Sequence, residues 1–239
     1  MSAGLNAKTD YDEWHARHEV DRSADAPWHR LVLAHLDLDG DLRGKRVIEV
    51  ACGRGGFAVR LTRTTMPPPW LVAADFSSAA IVKGRLFAAG AALGPIQWEV
   101  ADAQSLGHPD GSFDTVISCE TIEHLPDPRA AIAEFWRVLK PGGRLLLTAP
   151  NYMGPMGLYR AYARVIGRPY TEEGQPINNF VLLPRLVNWV RRAGLRLVAV
   201  DSRGHYLPWP GGPPREIPAL ERIRALRWVA LHSLVVAEK

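Results

Sequence analysis

Apolar positions along this chain follow two rhythms. Short runs rich in apolar residues, "KRVIEVA" (45–51), "PWLVAADF" (69–76), "IQWEVAD" (96–102), "SFDTVISC" (112–119) and "GGRLLLTAP" (142–150), read as strands. Between them, "GGFAVRLTRT" (55–64), "SSAAIVKGRLFAAG" (77–90) and "DPRAAIAEFWRVLK" (127–140) read as helices, and one more is expected over 26–36. A near-continuously apolar strand needs cover on both faces. The alternation therefore predicts an α/β domain built on a parallel sheet with helices on either side.

Local punctuation agrees with that division. Asp127 followed by Pro128 is an N-cap with proline in the first helical turn, and Ile132, Phe135, Trp136 and Leu139 repeat at helical spacing as the core stripe. Ser77 can cap the helix that Gly90 is expected to end. Pro184 opens another, running to Gly194 with Leu183, Leu186, Val187 and Val190 inward. Between 151 and 182 the pattern lapses into Tyr, Arg, Gly and Pro with room for one short helix, as in loops that form lids at the carboxyl edge of a sheet. The tail "RLVAVDSRGHYLPWPGGPPREIP" (196–218), a strand and then a Pro- and Trp-rich loop, and a final strand "HSLVVAEK" close the chain. One domain of 239 residues is expected: a helical cap over 1–44, a ligand-binding core over 45–150, a lid over 151–182 and sheet completion over 183–239.

Composition narrows the class. Apolar residues make up 47% and charged residues 23%, as in a folded globular enzyme. An excess of 29 Lys and Arg over 25 Asp and Glu, +4 in all, is too slight and scattered for a nucleic-acid surface, so no nucleic-acid partner is expected. Cys52 and Cys119 cannot form a disulfide framework and read as reduced thiols. The N-terminus lacks the order of a signal peptide. Lys83 and Arg85 interrupt the most apolar helix, so no transmembrane segment and a cytoplasmic location are expected. The basic, aromatic stretch "ERIRALRWVALH" (221–232) suits either a peripheral membrane contact or an amphipathic helix packed on the sheet.

The candidate chemistry begins at "VIEVACGRGGFA" (47–58), where a strand carrying one acid, Glu49, runs into glycines. In an open α/β sheet this first strand-to-helix turn is the favoured ligand site, and Gly53, Gly55 and Gly56 allow close backbone approach. Ala51, Gly53 and Gly56 also match a dinucleotide fingerprint with its first glycine replaced. Asp75, at the end of the second strand, suits the ribose hydroxyls of either cofactor, or caps the helix beginning "SSAA".

The third and fourth strand ends add "EVADAQSL" and "HPDGSFDTVISCETIEHLPDPRAAIAEFWRVLKPGG". The full order resembles the class I S-adenosylmethionine-dependent methyltransferases, type 11 group, which includes ubiquinone-biosynthesis O-methyltransferases. The resemblance covers roughly 45–150. It implies a Rossmann-like seven-stranded sheet of order 3-2-1-4-5-7-6, last strand antiparallel. It implies that Glu49, Ala51, Gly53 and Gly55 hold the methionine part of S-adenosylmethionine, with alanine at 51 where the family usually has glycine. Asp75 would take the ribose hydroxyls and Phe76 the adenine face; Asp102 would reach the adenine amino group, Ala103 would offer its amide, and Glu120 would lie beside the sulfonium.

The reaction so implied is methyl transfer to an oxygen of a small molecule, with a nicotinamide-dependent oxidoreductase and a non-catalytic S-adenosylmethionine-binding protein as the alternatives. A sulfonium donor is already activated, so alignment, exclusion of water and proton removal are what the protein must supply. Glu120, Glu123 and His124 form E-x-x-E-H, which resembles a metal-binding pattern of ubiquinone-type O-methyltransferases; His124 alternatively serves as general base or fastens a loop. We expect no metal and take His124 as the candidate catalytic residue. Tyr152, Tyr159, Tyr162 and Tyr170 could line an acceptor pocket, with Arg160, Arg164 and Arg168 drawing an acidic substrate, or pack as a lid. Oligomeric state is left open.

Overall fold

The computed structural model describes residues 2–167, 174–207 and 214–239. Strands β1 (Arg46–Val50), β2 (Trp70–Asp75), β3 (Gln97–Val100), β4 (Phe113–Ser118), β5 (Leu139–Pro150), β6 (Arg196–Arg203) and β7 (His232–Glu238) form one sheet of order 3-2-1-4-5-7-6. The first five run parallel, and β7 is antiparallel to both β5 and β6. The expected architecture is therefore borne out. A separate two-stranded hairpin pairs Tyr206–Leu207 with Arg215–Glu216.

Burial follows position in the sheet. The inner strands β1, β2, β4 and β7 are buried almost throughout, whereas β3 and β6, at the edges, alternate or lie half exposed. Two cores fill the two faces. One gathers α5 (Pro128–Val138) and α7 (Leu183–Arg192) around Phe113, Phe135 and Leu186; the other gathers α2 (Pro27–His35) and α3 (Gly56–Thr62) around Leu31, Leu42 and Phe57.

Caps appear largely where the side chains call for them. Asp127 accepts from the amides of Arg129 and Ala130, and Ser77 Oγ accepts from Ala80 N at the start of α4 (Ser78–Ala91). Three expectations need correction. Gly90 does not end α4, which continues to Ala91 before Ala92 turns extended and Arg63 Nε takes the Ala91 carbonyl. Trp136 leaves the core stripe and lies under the Lys239 ammonium, 4.0 Å from its ring centroid. In place of a packed amphipathic helix, the stretch 221–232 falls in two 3-10 turns, Pro218–Arg222 and Arg224–Val229, with Asn151 Nδ2 donating to the carbonyls of Trp228 and Ala230 at their end. Among the described residues no helix is long and apolar enough to cross a membrane.

Candidate active site

Sheet order reverses between β1 and β4, and a cavity of about 650 Å³ opens where it does, at the carboxyl ends of β1 to β4. After β1 the chain turns through Ala51 and Gly53, both with positive φ (57° and 53°), before left-handed Gly55 caps α3. The turn is tied to β2: Gly53 N donates to Asp75 Oδ2 and Ser77 N donates to Asp75 Oδ1, each at 2.8 Å. Asp75 is thus both a turn acid and the anchor of the glycine turn. A carboxylate has about four lone-pair sites, so about two stay available to a ligand.

Eight of the nine residues expected around a cofactor line this cavity; Gly55 does not. A Cβ there would stand 2.2 Å from the Trp98 ring, so its glycine serves packing and a left-handed cap. Gly56 lines the cavity, but a Cβ on it would meet the Asp21 carbonyl at 2.1 Å.

The acids are buried. Glu49 is 3% exposed, and its Oε2 has no hydrogen-bond partner. Burial, aided by the nearby Asp75, pushes the Glu49 carboxyl up to about 8, against a backbone hydrogen bond from Ala58. Burial likewise pushes Asp75 up to about 6, opposed by the hydrogen bonds from Ser77 and Gly53. A cation or a strong donor brought beside such groups restores their ionised form. Beyond β2, the Lys8 ammonium lies 5.9 Å from the centroid of Phe76. Past β3, Asp102 Oδ1 accepts from Gln104 N (2.9 Å) and Nε2 (3.1 Å), with Ala103 beside it in the wall. Past β4, Glu120 adopts φ 46°, an uncommon value for a residue with a side chain, and its amide donates to Thr148 Oγ1 at 3.0 Å.

Within the E-x-x-E-H pattern, Glu120 parts from the other two. Glu120 Oε2 faces His232 Nδ1 at 3.4 Å, while Glu123 Oε1 lies 3.6 Å from His124 Nε2. Among the described residues no group of three or more His, Cys, Asp or Glu is placed to hold a metal ion. His124 Nδ1 donates to the Ile177 carbonyl at 2.7 Å, since a carbonyl can only accept. Asn179 ties the same turn through the Glu123 and Leu125 carbonyls, each at 2.7 Å, so His124 stands in a fastening between 174–182 and the turn after β4.

Of the four tyrosines expected around an acceptor, Tyr152 lines the cavity. Its ring stacks on Phe180 at 5.0 Å, under the Arg160 guanidinium, which is held in turn by the Asn178 and Asn179 carbonyls. Tyr159 and Tyr162, on α6 (Pro155–Val165), are exposed, as is Arg164; Arg168 and Tyr170 lie outside the described residues. The expected acidic-substrate cluster is therefore not assembled by Arg160 and Arg164, because the first is bound to the Asn178 and Asn179 carbonyls and the second faces out.

Sequence reasoning missed the opposite wall. Helix α1 (Ser2–Arg17) contributes Tyr11, Trp14 and His15, and the start of α2 contributes Trp28 and His29. Asp12 clamps α1 by accepting from Ser77 Oγ (2.6 Å) and Ala79 N (3.1 Å), and Lys83 Nζ donates to the Ala16 and His18 carbonyls at 2.8 Å. Burial, with Arg54 adjoining, pushes His15 down to about 3; burial pushes His29 down to about 4. The available signal was "YDEWHARH" (11–18) and Trp28–His29: aromatics and histidines crowded outside any strand pattern.

Comparison with known proteins is consistent with this geometry. A family described as a methyltransferase domain matches residues 48–147. A ubiquinone biosynthesis O-methyltransferase of Xanthomonas oryzae pv. oryzae is 31% identical over 188 residues, 77% of each chain. The 27-O-demethylrifamycin SV methyltransferase of Amycolatopsis mediterranei is 30% identical over 200 residues, 82% of this chain and 68% of that one. In fold, the chain is similar to a putative methyltransferase solved in complex with the Haloferax volcanii Trm112 methyltransferase activator, with a TM-score of 0.69 and 22% identity, covering 95% of this chain and 96% of that one. Between the two cofactors that the glycine turn leaves open, these relatives decide for S-adenosylmethionine.

Proposed function

The chain belongs to the class I S-adenosylmethionine-dependent methyltransferases, type 11 group, and from that premise we propose that it methylates an oxygen of a small molecule held in this cavity. The observation that carries the reading is the meeting of Glu49, Asp75, Asp102 and Glu120, from four strand ends, in one cavity in which Glu49 Oε2 and Glu120 Oε1 have no hydrogen-bond partner. Unmade buried hydrogen bonds cost free energy unless a ligand completes them. The residues present fit a cofactor with a cationic sulfur, an amino group and a ribose diol.

In this proposal Glu49 accepts from the cofactor's amino group, and Ala51 and Gly53 present backbone to it. Asp75 accepts from the ribose hydroxyls with the lone pairs that Gly53 and Ser77 leave. Phe76 covers the adenine, Asp102 and Ala103 meet its edge, and Glu120 lies near the sulfonium. When bound, the cofactor supplies a methyl group already activated for displacement, so no protein nucleophile is required. The chain's own work is to align the acceptor, keep out water and take its proton. Oxygen is favoured because a relative covering 77% of each chain is named an O-methyltransferase. The acceptor then occupies the side formed by Trp28, His29, Tyr152 and Met156, a wall that suits an apolar or aromatic body. The lid and cap are the portions 151–182 and 1–44, with 168–173 outside the described residues. A cytoplasmic location accords with the two free thiols, Cys52 and Cys119.

Calorimetry tests the cofactor half, with S-adenosylmethionine or its demethylated product expected to bind well ahead of NAD. Incubation with metabolite pools, followed by mass spectrometry for the gain of one methyl group, tests the acceptor half. Tighter binding of NAD, or a methyl group found only on carbon or nitrogen, would refute the corresponding half.

A further inference from the structure

We infer that His232, not His124, removes the acceptor's proton, with Glu120 steadying its ring and balancing its charge; this rests on the oxygen-acceptor reading. His232 opens β7, paired with Pro150 at the end of β5, so the last strand of the chain delivers it to the carboxyl edge where Glu120 ends β4. It is buried yet lines the cavity. Its ring is confined by Trp28 and Tyr206, at centroid distances of 5.1 and 5.9 Å, and by Gly204, where a Cβ would stand 2.9 Å from His232 Cδ2.

Electrostatics point the same way. Nδ1 has no hydrogen-bond partner and faces Glu120 Oε2 at 3.4 Å, while Glu120 Oε1 is buried without a partner as well. These are groups held short of their full complement at the edge of a ligand cavity, and the residue that carries the acid sits at positive φ. Backbone strain persists where surroundings over-determine it, and it concentrates at functional sites. Besides Glu120, the charged or titratable residues beside His232 among the described residues include Tyr206, in ring contact, and Arg203, its cross-strand partner on β6. His124, by contrast, spends Nδ1 on the Ile177 carbonyl and sets Nε2 beside Glu123.

With its Nδ1 hydrogen turned to Glu120, His232 presents Nε2 as the basic atom. As an oxygen electron pair of the acceptor forms the new O–CH₃ bond, the hydroxyl proton passes to Nε2, and the electron pair of the broken S–CH₃ bond stays on sulfur. The products are a methyl ether, a neutral thioether and a protonated His232 beside the Glu120 carboxylate; His232 then returns the proton to water.

The test uses the full chain with S-adenosylmethionine and two probes at pH 8: catechol, which must lose a proton during transfer, and 4-nitrophenol, which is largely ionised beforehand. His232→Gln is expected to lower kcat on catechol at least about 100-fold, the usual worth of a general base, and to lower it far less on 4-nitrophenol, with cofactor affinity retained. His232→Gly should be rescued on catechol by added imidazole; if that variant fails to bind cofactor, His232→Gln carries the test alone. Equal losses on both probes, retained catechol turnover in His232→Gln, or imidazole rescue of His124→Gly instead would overturn the inference. If wild type methylates neither probe, the same comparison is made on the hydroxyl acceptor found in metabolite pools, and a methyl group found there only on carbon or nitrogen would overturn the oxygen-acceptor reading, and the inference with it.

Discussion

Replacing Glu49 with Gln should strengthen the cofactor-free fold and weaken the enzyme, to an extent set by pH. In the folded chain, burial and the neighbouring Asp75 raise the Glu49 carboxyl to about 8 from a reference value of 4.5. Between those values the folded chain holds a proton that the unfolded chain has released, so stability falls as pH rises, by about 1.4 kcal/mol per pH unit, and levels off above pH 8. Asp75, raised to about 6, completes its own share at lower pH, so Glu49 dominates from pH 6 to 8. His15 and His29, depressed to about 3 and 4, act in the opposite sense, each by less than about 1 kcal/mol over that window. The difference between wild type and Glu49→Gln cancels them. Urea unfolding at pH 6, 7 and 8 should show the variant's advantage growing by roughly 2–3 kcal/mol across the window. The same substitution removes a charged acceptor and should cost about 1.5–3 kcal/mol of S-adenosylmethionine affinity by calorimetry, roughly tenfold or more. An advantage that does not change with pH, or unchanged cofactor binding, would refute the buried, ligand-facing carboxyl.

Asp75→Ala should lower cofactor affinity by about 1–3 kcal/mol, since both the anchor of the turn at Gly53 and the proposed ribose acceptor are lost; unchanged affinity by calorimetry would leave Asp75 a structural acid alone. Ala51→Gly should raise the urea midpoint, because a left-handed alanine costs about 1–2 kcal/mol while glycine returns about 0.5–1 in unfolded-chain entropy, and a lowered midpoint would contradict the strain at that turn. Turnover on an identified acceptor should survive chelation, because Glu120 turns to His232 while Glu123 and His124 face each other, and the three do not converge; loss on chelation with recovery in Mg²⁺ would contradict this.

Sequence by itself determined strands β1 to β5 and the helices between them, because these follow from neighbours along the chain, and its family resemblance supplied the sheet order and the nine positions of which eight line the cavity. Apolar runs set β1, β2, β4 and β5, and each acid or glycine comes at or just beyond the carboxyl end of one of the first four strands. It also showed that Asp127 and Ser77 would cap, since a cap needs only the next three residues. Tertiary structure alone decided the rest. Gly55 is claimed by Trp98, 43 positions on; Trp136 is drawn outward beneath Lys239; Arg160 and His124 are spent on the carbonyls of the segment 177–179. The wall of Trp14, His15, Trp28 and His29 comes from the N-terminus, and His232 arrives on the last strand, antiparallel, beside Glu120. No periodicity encodes such meetings. They depend on which distant segment closes over the sheet edge, and that is settled by packing between cores and by long-range hydrogen bonds, not by the order of residues within any one element.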